Sequence, residues 1–166
     1  MAFIVEDSET ISFAEFSDVF AADPRLFDSH ESLTDDTVET ALIRATSRIL
    51  DNVKHTDWWQ SLYSRHTGSV NRKDIPNPDG NNIQARQSDF TDLCVYWALS
   101  DYILPGIADF GDDDNNERQK MGYYRNRADR LFQELINAGD WYDFDGDSTI
   151  QTDEKEHGNF RLRRVR

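Results

Sequence analysis

The chain has 166 residues, with 32 Asp and Glu against 18 Lys and Arg, a formal net charge of -14, and 37% hydrophobic residues. That length supports one ordinary domain with a real core, and so acidic a body repels phosphates, which disfavours a general nucleic-acid-binding module. No apolar run is long enough to span a bilayer, and "MAFIVEDSET" has neither the basic start nor the apolar stretch of an export signal.

The first predicted helix lies in "SFAEFSDVFAADPRLF", capped by Ser12 and interrupted near Pro24. The clearest helix follows in "TDDTVETALIRATSRILDNV". Thr34 is its cap, and Asp35 and Asp36 suit the positive end of the helix dipole. Val38, Ala41, Leu42, Ala45, Ile49 and Val53 recur at helical spacing and define a buried stripe. A short helix from Thr56 brings Trp58, Trp59, Leu62 and Tyr63 together.

Next comes "TGSVNRKDIPNPDGNN", part of a long loop over 66–83. It reads as too polar to pack internally, so two alternatives stand: a disordered excursion, or a contact with a neighbouring chain. "QARQSDFTDLCVYWALSDYIL" is the most apolar helix, ended by Pro105 and Gly106. Its Cys94, the only cysteine, reads as core packing.

After the acidic linker "DFGDDDNN", a last helix runs from about Glu117 to Ala138 and stops at Gly139. Its stripe is Met121, Tyr124, Ala128, Leu131, Leu135 and Ala138. Arg118, Lys120, Arg125, Arg127 and Arg130 crowd the other faces, either as a solvated surface or as a partner for the acidic flank of an identical neighbour. The expected fold is therefore mainly α: a small bundle of four to five helices over 1–140, then a C-terminal hairpin or turn and an extended arm over 141–166.

The turn is "DFDGDSTIQTDE", Asp143–Glu154. Read as a calcium loop, Asp143, Asp145 and Asp147 take positions one, three and five, Thr149 offers its carbonyl at seven, and Glu154 closes the site at twelve. Against this, position six holds Ser148 where glycine is preferred, the exit helix has little room before Gly158, and no partner loop occurs. Read as a hairpin, Asp145-Gly146 is the turn, with Tyr142 and Phe144 pairing Thr149 and Ile150. Trp141 then packs the hairpin base onto the last helix.

Nothing in the sequence has the pattern of an enzyme. His30, His55, His66 and His157 fall in no metal-ligand spacing, and no nucleophile elbow, phosphate loop or paired-cysteine site is present. No cofactor is expected beyond a structural calcium in the acidic loop.

Residues 155–166, "KEHGNFRLRRVR", hold five Lys and Arg against one Glu, a balance of +4; removing it from -14 leaves -18 on the rest of the chain. Phe160, Leu162 and Val165 alternate imperfectly with Arg161, Arg163, Arg164 and Arg166. Such a segment suits extended docking, by backbone pairing and bidentate arginine contacts to carboxylates.

An opening like "MAFIVED", a helical body of this size, and "WYDFDGDSTIQTDE" before a terminal "RLRRVR" together resemble the head-to-tail adaptor (connector, or head-completion) proteins of tailed bacteriophages. The resemblance implies a mostly helical subunit in a ring, commonly of twelve, at the head–tail interface of a virion assembled in the host cytoplasm. The ring sits beneath the portal protein, extends the DNA channel without binding DNA specifically, and carries the next neck or tail protein. It makes Phe160–Arg166 a portal-docking arm, and the loop around Pro76 and Pro78 a contact for the next ring. Two other classes stay open: a helical interaction module switched by one calcium loop, and an acidic mimic of DNA, which the arginine tail fits poorly.

Overall fold

The computed structural model describes residues 3–6, 9–30, 33–68, 71–108 and 116–155. The expected arm, 160–166, lies outside them, as does part of the linker before the last helix.

Helices dominate, as the stripes predict. They comprise α1 (Phe16–Ala22), α2 (Pro24–Ser29), α3 (Asp35–Lys54), α4 (Asp57–Thr67), α5 (Gln87–Ala98), α6 (Leu104–Ile107), α7 (Asn116–Ala138) and α8 (Thr152–Lys155). α5 lies between α3 and α7 and packs against both. Its buried Phe90, Leu93, Cys94, Val95, Trp97 and Ala98 meet the expected α3 stripe, all of it buried, and Tyr124, Ala128 and Leu135 of α7. The Cys94 thiol is sealed in this core, and burial pushes its pKa up to about 12.

Local chemistry sets most of the helix ends. The Thr34 hydroxyl accepts from the Thr37 backbone N–H, and Thr56 does the same for Trp59. Gly139, at φ +58°, ends α7 by donating its N–H back to the Leu135 carbonyl.

Two expected ends are overturned. Ser12 caps no helix: it closes a strand, its hydroxyl donates to the Ala14 carbonyl, and α1 begins at Phe16 with a capping box between Glu15 and Asp18. Pro105 and Gly106 do not end the apolar helix either. It widens into a π turn at Leu99–Ile103, where the Leu104 N–H reaches the Leu99 carbonyl five residues back, and α6 then runs through both residues. The wider turn absorbs the proline's missing donor.

A small antiparallel hairpin, β1 (Ile4–Glu6) and β2 (Glu9–Ser12), precedes the helices. Buried threonines fasten its exit to the bundle. Thr46 Oγ1 of α3 accepts from the Phe13 N–H at 3.0 Å, and Thr91 Oγ1 of α5 donates to the Phe13 carbonyl at 2.8 Å.

The described part of the long loop, 71–83, packs against its own chain, contrary to the expectation that it is too polar to do so. Ile75 and Ile83 are each 1% exposed. Trp59 Nε1 donates to the Pro76 carbonyl, Asn77 donates to Asp51, and the Asp79 N–H donates to the Tyr142 hydroxyl. Two isoleucines and borrowed hydrogen-bond partners are enough to seat an otherwise polar segment. Gly80 is needed for close approach: a Cβ there would stand 2.7 Å from Thr10 Cβ of β2.

The cations of α7 find partners within the chain. Lys120 binds Asp23 at 2.7 Å, Arg125 lies 3.6 Å from Asp101, and Arg130 pairs with Glu134 at 2.8 Å. Arg127 donates to the Tyr123 hydroxyl and lies over the Tyr96 and Tyr123 rings. Asp101, in the π turn, also binds Arg48 of α3. Arg125 and Arg130 nevertheless keep most of their side chains in solvent, 60% and 82% exposed, so this face is a solvated surface carrying internal pairs.

Candidate functional site: the acidic loop

After Gly139 the chain turns back over the bundle. The Trp141 ring is fully buried against Trp58 and Phe90, and its Nε1 donates to the Leu135 carbonyl, so it fixes the loop's base on α7 as expected. Tyr142 makes an isolated antiparallel bridge with Ile83. Arg86 clamps Asp140 through two contacts, 2.6 and 3.1 Å, and holds that carboxyl below its usual range.

From Asp143 onward the loop is built on carboxylates. Asp143, 1% exposed, accepts from the Gly146 N–H at 2.7 Å and the Ser148 N–H at 2.6 Å. Asp145 accepts from the Asp147 N–H, and Asp147 from the Thr149 N–H. Glu154, also 1% exposed, accepts from Phe144 N–H at 2.6 Å and Gln151 N–H at 2.7 Å, which ties both ends of the loop to α8. Phe144 stacks on His66 and Trp59, anchoring the loop on α4.

Of the hairpin and the turn, the chain adopts the turn. Tyr142 pairs with Ile83 and not with Thr149 or Ile150, and the segment between is a series of bends. The physical reason is competition: side-chain carboxylates satisfy the backbone donors that a hairpin ladder would have used.

Of the four carboxylates expected to ligate calcium, the structure gathers three. One carboxylate oxygen each from Asp143, Asp145 and Asp147 lie within 4.8 Å of one another. Glu154 is directed instead to backbone donors, and Thr149 enters through its N–H. Gly146 and Ser148 take positive φ, +77° and +67°. Ser148 therefore adopts the left-handed conformation required at position six despite its side chain. Crowding of the charges is visible at Asp145. Its bond from the Asp147 N–H lowers the pKa, but desolvation and the charges of Asp147 and Glu154 outweigh that and raise it.

Among the described residues, His30, His55 and His66 do not join this cluster as ligands, and His66 meets the loop by stacking on Phe144; His157 lies outside the described residues. Sequence reasoning missed Gln151, whose Nε2 donates to Asp145 and Asp147 at 3.3 and 3.1 Å and partly offsets their charge. It also missed Arg86 and Asp140, whose separation in sequence gives no local signal. Compared with known proteins, the chain matches no described family, no curated protein and no solved structure.

Proposed function

We propose that this chain is a structural subunit of a tailed-phage neck, forming a ring that continues the DNA channel between the portal and the tail or next neck protein. The observation that carries the reading is the division of charge: -18 over residues 1–154 and +4 over 155–166. A strongly acidic helical body lets a duplex slide, since phosphates are repelled. Pairing of Lys120, Arg125 and Arg130 with carboxylates of the same chain supports this, because it offsets charge on the basic face of α7 that a phosphate would meet. The cationic segment Phe160–Arg166 is the element that joins the subunit to another chain of the particle, and repetition around a ring turns a weak arm into a firm attachment. The role is architectural, without catalysis.

Negative-stain imaging of the purified protein, alone and with a portal, tests this reading. An annulus that stacks coaxially on the portal is expected; particles that never form an annulus overturn it.

A second reading, a calcium-dependent interaction module, is favoured by one observation: Ser148 already holds the left-handed turn that brings Asp143, Asp145 and Asp147 together. Calorimetric titration with calcium, using Asp143→Ala and Glu154→Ala as controls, separates the two. Micromolar binding with a conformational change and no ring supports the module; absence of binding removes it.

A further inference from the structure

Three of the large apolar side chains exposed on the described surface cluster around the hairpin: Ile4 and Val5 of β1, 38% and 54% exposed, and Ile43 of α3, 41% exposed. Ile4 and Ile43 face a shallow groove of about 210 Å³ between the hairpin and α3, floored by Ile11 and rimmed by Glu6 and Glu39. Among the described residues β1 pairs only with β2. A strand edge that is unpaired among the described residues thus runs beside an apolar groove with an acidic rim. Edges of this kind accept an added strand, with backbone pairing for affinity and alternate side chains for specificity.

The complement stands in the same sequence. In an extended Phe160–Arg166, alternate residues share a face, which places Phe160, Leu162, Arg164 and Arg166 together. Two large apolar side chains followed by two cations match two isoleucines beside two glutamates.

We propose that the Phe160–Arg166 segment of one copy adds as a strand along the outer edge of β1 in the next copy, with Phe160 and Leu162 against Ile4 and Ile43 and its arginines against Glu6 and Glu39. The contact is heterologous, donor arm to acceptor groove, which is the kind that closes into a ring. The inference rests on the ring-forming reading and gives the arm a second copy as its partner, where the family resemblance implies the portal.

Sedimentation velocity of the full-length chain at 0.1 M salt tests it. The protein sediments as a discrete oligomer that an excess of synthetic peptide 158–166 dissociates. Glu6→Lys with Glu39→Lys, and separately Ile43→Asp, weaken self-association by about tenfold or more, because the arm then meets like charge or loses its apolar seat. Raising salt to 0.5 M loosens the oligomer, since exposed pairs are screened. All three positions are exposed, so thermal unfolding of the variants stays close to that of the parent, and this serves as the folding control.

A monomeric full-length chain, or an oligomer indifferent to both peptide and variants, overturns the inference. If that indifferent oligomer still forms an annulus stacking on a portal, the ring reading stands and only the seat of the arm is wrong. If no annulus forms, both fall.

Discussion

Residues 71–83 and 143–151 are both polar, irregular and rich in turn formers, yet they are held in opposite ways. The first is seated from outside: Ile75 and Ile83 enter the core, and its backbone takes partners from Trp59 and Tyr142. The second is held from within: Asp143, Asp145, Asp147 and Glu154 satisfy the loop's own N–H groups. A loop seated from outside is as stable as the core it leans on. One held by its own carboxylates gathers negative charge as it orders, and so becomes sensitive to cations and acid.

The largest test removes the residue common to both. Trp59 donates to the Pro76 carbonyl and stacks on Phe144, so Trp59→Ala should cost about 3–5 kcal/mol in urea unfolding. Hydrogen exchange should rise in both segments. Glu154→Ala separates them. It removes the charged acceptor of the part-buried Phe144 and Gln151 N–H groups and should cost about 1–3 kcal/mol, with faster exchange over 143–155 and unchanged protection over 71–83. Ser148→Gly works in the other direction. Relief of the left-handed strain at φ +67° should stabilise the chain by about 1 kcal/mol in the same assay.

The smallest effect is the acid dependence of the Arg86–Asp140 clamp. The folded Asp140 pKa lies below its unfolded value, so its stabilisation is present above the unfolded value and is lost as pH falls through the folded one. Both side chains are more than a third exposed, so the contribution is screened and modest. Urea midpoints between pH 2 and 6 should fall slightly less steeply for Asp140→Asn than for the parent chain.

What the sequence disclosed was what neighbours along the chain decide. The α3 stripe, the Thr34 cap, the helix start at Thr56 and the Gly139 stop depend on residues within a turn or two, and they were legible. The β1–β2 hairpin was not, because strands of three and four residues carry too little alternation to register. Ser12 has a cap's chemistry and a strand's position, a difference only tertiary packing decides. The seating of 71–83 depends on Trp59 and Tyr142, far away in sequence. In the acidic loop the three aspartates could be read from their spacing, whereas the turning of Glu154 toward backbone donors follows from its burial.

The π turn at Leu99–Ile103 has a consequence for how this protein tolerates change in length. It accommodates one residue more than a regular helix of the same rise. Each residue rotates an α-helix by about 100°. Excising a single residue there would restore regular winding and leave the flanking segments close to their present phase, because the wide turn already absorbs the extra residue. Asp101 would then lose its place between Arg48 and Arg125, the double tie across three helices. Apart from that local loss, a one-residue deletion in this stretch should be better tolerated than one in the regular part of α5, where each residue lost turns everything beyond it out of phase.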